Sequence, residues 1–141
     1  MLDISMVDGG IAVLAGRGDA SIGAMRGAVR DAMVDVQLAG RRRIVVDMSE
    51  ATGLGHPGVM QRIDTVREWA AIAVPGLSLA FVAHHAFLDE DRIGMIVASQ
   101  LGLNAHAFSC RDEAIAWLRK QRLFNAQRVE TVATLAEAQQ G

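Results

Sequence analysis

The chain has no tyrosine and only one cysteine, and each shortage closes off a group of functions. Aromatic residues make up 4% of its 141 positions, too few to build a base-stacking surface for nucleic acid. Cys110 on its own can neither close an intramolecular disulfide nor supply a multi-cysteine zinc site, and such usage suits a reducing compartment. An excess of one charge is also missing: 14 Lys+Arg stand against 16 Asp+Glu, a net charge of -2 with a pI near 6.0. Neither nucleic acid nor an anionic membrane is therefore an expected partner. No uninterrupted apolar run reaches the roughly 20 residues that span a bilayer. The opening MLDISMVDGG lacks the basic segment and apolar stretch of a secretory leader. The expectation is a cytoplasmic, soluble protein with no membrane insertion.

What is present is a good deal of core-forming material, 51% hydrophobic residues, in a length suited to one domain. Leu2 to Val7 alternates apolar and polar side chains like a half-buried strand. Asp8-Gly9-Gly10 then supplies a tight turn into a second apolar run, Ile11 to Ala15, so an antiparallel hairpin is predicted, broken by Gly16-Arg17-Gly18-Asp19. Ser21 is a candidate helix N-cap, followed by Ile22, Met25, Val29, Met33 and Val36 on one helical face and Arg26, Arg30 and Asp35 on the wet one. Gly40 is placed to stop that helix, and Arg41-Arg42-Arg43 reads as a solvated link into the β-branched strand Ile44-Val45-Val46.

Asp47 to Gly58 reads as loop, and a second helix over about Val59 to Ile72 is expected to bury Met60, Ile63, Val66 and Ala70. Leu77 to Ala83 is the next buried strand. The acids Asp89, Glu90 and Asp91 suit the start of a third helix running to Leu101, and Asn104 to Phe108 makes a last strand. Ser109 is a candidate cap for a fourth helix with Ile115, Trp117 and Leu118 in the core; Cys110 beside it is expected to be small and half-buried. The order β-β-α-β-α-β-α-β-α implies an α/β fold with a mixed sheet of about five strands and helices mainly on one face. One domain is expected over residues 1–122, with a helical or flexible tail over 123–141 whose apolar residues suggest a homodimer.

The chain resembles a STAS (anti-sigma-factor antagonist) domain over roughly Leu2 to Arg122. LDISMVDGGIAVLAGRGDAS is similar to that family's opening hairpin, and VVDMSEATGLGHPG to its third strand and the loop before its second helix. Asp47-Met48-Ser49 matches the family's Asp-Leu-Ser triplet. Where the family carries Asp-Ser-Ser-Gly with a phosphorylated serine, this chain has Gly55-His56-Pro57-Gly58, so a phospho-switch cannot operate at that place. The Ala-x-x-Trp-Leu pattern at Ala114 to Leu118 is similar to a looser STAS-like group of small bacterial proteins, a group also compared with the CRAL-TRIO lipid-carrier fold. The resemblance implies a non-enzymatic regulatory or scaffolding domain that binds a protein partner through Ser49, Thr52, Gly55, His56, Pro57, Gly58 and Met60. It also implies an alternative, a carrier or sensor for a small apolar, lipid-like ligand.

Ligands of open α/β sheets gather beyond the carboxyl ends of the parallel strands, which singles out Asp47, His84 and His85 as ligand-edge candidates. With His56 they could suggest a zinc site or a histidine–aspartate base, hence a metal-assisted hydrolase. Adjacent residues of an extended segment point opposite ways, however, so His84 and His85 cannot easily face one metal, and plain loop histidines are expected. His106, within a strand, reads as sheet-edge or helix-covered. TGLGHPG lacks the Lys-Ser/Thr of a P-loop and the glycine fingerprint of a dinucleotide site. No catalytic residue, cofactor or metal ligand is assigned.

Overall fold

A computed structural model describes residues 1–7, 10–55, 58–84 and 92–121. Asp8, Gly9, His56, Pro57, the segment 85–91 and the tail from 122 lie outside the described residues, and with them fall the expected roles of His56, Pro57 and His85 and the tail-mediated dimer. The described chain runs β1 (Leu2–Val7), β2 (Ile11–Asp19), α1 (Ile22–Leu38), β3 (Arg43–Thr52), α2 (Val59–Ile72), β4 (Ser78–Val82), α3 (Arg92–Gln100), β5 (Asn104–Phe108) and α4 (111–121). The strands form one sheet in the order β1-β2-β3-β4-β5. β1 and β2 are antiparallel, with Leu2 opposite Gly16 and Val7 opposite Ile11; the remaining pairs are parallel.

Residues of opposite parity on the inner strands feed two separate cores, as the alternation of a pleated strand requires. On the front face Ala12, Leu14, Ile44, Val46, Met48 and Leu79 meet Met25, Val29, Met33 and Val36 of α1, Trp69 of α2 and Ala98 of α3. On the back face Ile11, Val13, Val45, Ala80 and Val82 meet Ala114 and Leu118 of α4. Each connection between neighbouring parallel strands thus lays its helix on the front, and among the described residues α4 alone covers the back.

Several departures from the sequence reading bear on the site. Gly16-Arg17-Gly18-Asp19 does not end β2; the strand passes through a register shift between Ala15 and Arg17 and goes on to pair Arg17 with Glu50 and Asp19 with Thr52. Because β2 supplies that partner, β3 also continues to Thr52, and the stretch read as loop from Asp47 is strand as far as that residue. Gly16 has a steric reason: a Cβ there would lie 2.8 Å from Sδ of Met48.

In α2 the buried pair is Arg62 and Trp69, with Val66 and Ala70 partly buried, whereas Met60 is 63% exposed. Met60 and Arg62 are two steps apart, a turn of about 200° around the axis, so burying the Trp69 face puts Met60 in water. The basic run is not simply solvated: Arg43 opens β3 as a buried residue, and Nη1 of Arg42 donates to the Gln37 carbonyl at 3.0 Å. At α4 the first helical bond runs from the Ala114 amide to the carbonyl of Cys110, and the Cys110 side chain is exposed.

Ser21 caps α1 as read, its hydroxyl accepting from the Ala24 amide at 3.2 Å. At the other end Gly40 takes φ +87, the left-handed conformation that a glycine stop supplies. Gln37, on the buried stripe of α1, donates to the Ile72 carbonyl at 3.1 Å and accepts from the Val74 amide at 2.8 Å. One side chain thus serves two backbone groups where α2 ends. Gln37→Leu keeps the volume and leaves both groups without that partner, so we expect a loss of about 1–3 kcal/mol in urea unfolding with an unchanged m-value. An unaltered midpoint would remove Gln37 from the account of how α2 is anchored.

Candidate functional site

The carboxyl ends of β3 and β4 bring part of the predicted edge together. Asp47, 4% exposed, is the last β3 residue paired with β4, where it stands opposite Val82. Its Oδ1 accepts from both the amide (2.9 Å) and the hydroxyl (2.6 Å) of Ser49, closing a small local ring on the strand. Its Oδ2 accepts from Nε of Arg111 at 2.8 Å, in the first turn of α4. Burial alone would push the Asp47 carboxyl up, but the hydrogen bonds from Ser49 and the Arg111 guanidinium outweigh it and hold the group below the ordinary aspartate range.

Asp47 therefore sits at the predicted edge with both oxygens engaged, Oδ1 by Ser49 on its own strand and Oδ2 in fastening β3 to α4. Arg111 is the residue that sequence reasoning missed. The one available signal was a cation in the first helical turn after Ser109 and Cys110, where a helix dipole favours an anion. His84 follows β4 by two residues and is exposed, and among the described residues the polar partners of Asp47 are Ser49 and Arg111 rather than a histidine. No group of three metal-ligating side chains converges among the described residues. His106 lies on the edge strand β5 with its ring stacked on Trp117 of α4, centroids 5.8 Å apart, and tilted against Phe108.

The expected partner-binding positions fall on one stretch, from the end of β3 through the first turn of α2. Ser49 is half-buried and committed to Asp47; Thr52 is exposed, and its carbonyl accepts from the Ala20 amide at 3.1 Å. Gly53 takes φ +80, and a Cβ at that position would collide with the Asp19 carboxylate, so the chain can leave β3 there only as glycine. Gly55 and Gly58 are exposed. The Gly58 amide donates to Oε1 of Gln61 at 3.0 Å, closing the start of α2 in place of a capping hydroxyl. Val59 and Met60 then stand in water on the first turn.

A second feature lies on the front face, between the sheet and α1, α2 and α3. There a cavity of about 80 Å³ opens among Met25, Met48, Trp69, Phe81, Met95 and Ala98. Its α1–α2 rim is pinned by ions: Glu68 accepts from Arg26 at 2.8 Å and from Arg30 at 2.7 Å, and the Trp69 indole donates to the Arg26 carbonyl at 3.3 Å. Arg26 and Arg30, placed by sequence on the wet face of α1, thus face α2.

No family model matches the chain, and no curated protein does. Among the described residues no helix is long and apolar enough to cross a membrane.

The Asp47 contacts predict a pH dependence of definite sign. A carboxyl depressed by folding adds stability that is complete above its unfolded value near 3.9 and fades as pH falls through its lower folded value. We expect Asp47→Asn to lower unfolding free energy by about 2 kcal/mol at neutral pH, the scale of charge-assisted hydrogen bonds. The gap from the parent protein should narrow as pH drops below about 4. A gap of constant size in urea titrations across that range would mean that the charge of Asp47 is not what holds α4.

Proposed function

We propose that this chain is a non-enzymatic binding domain of the STAS-like kind, regulatory or scaffolding in role, which engages a protein partner through the loop from Gly53 and the first turn of α2. The observation that supports this best is the exposure of Val59 (44%) and Met60 (63%), two adjacent apolar side chains at the start of a helix whose other face is committed to the front core. Apolar surface set beside exposed backbone at a loop–helix junction suits a partner that can cover both. The STAS resemblance puts recognition at this same place. With glycines at positions 55 and 58 and no hydroxyl between them, binding there does not use the serine switch that the resemblance would otherwise imply.

Asp47 supports binding over catalysis for a different reason. Its carboxylate already accepts from Ser49 and Arg111, so the most buried acid at the strand ends is a fastener of the fold rather than a proton carrier.

A photoreactive amino acid placed at position 60 tests the surface in the native cytoplasm, with position 38, on the fully wet end of α1, as control. A specific adduct is expected from position 60, absent from position 38, and lost when Val59→Glu is added with the circular dichroism spectrum unchanged. Equal adducts from both positions, or survival of the adduct in Val59→Glu, would refute the assignment.

A further inference from the structure

The front-face cavity has a local cause. α3 turns Gly94 and Ala98 toward the sheet, and β5 answers with Ala105, so three small side chains meet where the neighbouring walls are built from Met25, Met48, Met95, Trp69 and Phe81. Interiors normally close such gaps, because atoms lining a void lose their dispersion partners. This one remains open under a helix pair that is otherwise packed.

Four polar side chains belong to the wall, and one of them, Arg62, is buried in α2. Arg26 is paired with Glu68 at 2.8 Å, the Thr65 hydroxyl donates to the Gln61 carbonyl at 2.8 Å, and the Trp69 indole donates to the Arg26 carbonyl. The lining is otherwise almost wholly apolar, so a cationic or strongly hydrogen-bonding group entering the cavity would give up water without replacement, at a cost of several kcal/mol by transfer scales. A hydrocarbon group would give up nothing and would recover the missing contacts. At about 80 Å³ the space is smaller than the roughly 150 Å³ apolar cavity that accepts benzene, so a narrow chain end suits it better than a ring. Three methionines, unbranched and with several rotatable bonds each, let the wall adjust to such a chain.

We infer that the cavity beneath α2 and α3 is a binding site for the alkyl chain end of a small amphiphile. The site depends on the cavity alone, so it stands or falls separately from the partner surface at Met60.

The test uses the full chain, titrated with 1-hexanol and with 1-decanol and followed by the ¹³C-methyl signals of its methionines. Saturable shifts are expected at Met25, Met48 and Met95, with Met60 on the surface and Met33 deeper in the core as internal references. Trp69 fluorescence in a Trp117→Phe background should saturate in parallel. Equal affinity for the two alcohols points to a free short-chain ligand, and tighter decanol binding to the end of a longer chain that continues along the surface; either supports the site. Ala98→Leu from the helix side and Ala105→Leu from the sheet side, each checked by circular dichroism, should weaken binding at least tenfold. Shifts that do not saturate, that appear equally at Met60, or that survive both leucine variants would overturn the proposal.

Discussion

The inner segments of β2 and β3, Ile11 to Ala15 and Ile44 to Asp47, have almost no contact with water on either face, and the placement of the other elements follows from that burial. A strand wetted on one side needs one covering layer, whereas a strand buried on both needs two. The front layer comes from the chain's own crossovers, since a β-α-β connection returns to the neighbouring parallel strand with its helix on one face. Three such connections in succession place α1, α2 and α3 together and leave the back to α4. That back helix then needs an anchor as well as apolar contacts. Arg111 provides it by reaching Asp47 at the point where β3 runs on beyond the end of its pairing with β4.

Several polar groups at the seams between elements are satisfied in pairs. Asp47 takes three donors from two residues, Gln37 serves both an amide and a carbonyl at the end of α2, and Glu68 accepts from two arginines across the α1–α2 seam. Ser78, fully buried at the start of β4, accepts from Asn104 on the adjacent strand at 3.0 Å. Each arrangement joins two elements distant in sequence. At Asp47, Gln37 and Ser78 removing the partner therefore costs more than the bond itself, because a buried group is left unpaired. Water, by contrast, can reach Glu68 and its two arginines.

The order of strands and helices was legible because it is written in hydrophobic period: runs such as Ile44-Val45-Val46 for the strands, and Met25, Val29, Met33 and Val36 for α1. Lengths and helix phase were less so. Gly16-Arg17-Gly18-Asp19 has the composition of a turn, and only the neighbouring β3 makes it strand, a pairing that no local pattern encodes. In α2 two apolar stripes compete, one through Met60 and Ile63 and the other through Val66 and Trp69. The larger area of the indole decides in favour of the second even though that stripe carries Arg62. Asp47 and Ser49 were recognisable as a pair at the strand end, but the residue that completes their network is 64 positions from Asp47 in sequence.

The same choice of phase links the two surfaces of α2. Turning Trp69 and Arg62 inward leaves Val59 and Met60 outside at the helix start, and it also makes Trp69 one wall of the front cavity. A helix in the alternative phase would have hidden Met60 and swung the indole away from Phe81, whose ring now lies 6.3 Å from it. The apolar turn on the surface and the methionine-lined space beneath it thus have one origin, the decision of a single helix about which side to bury. Small residues at Gly94 and Ala98 then determine how closely α3 closes that space from the other side.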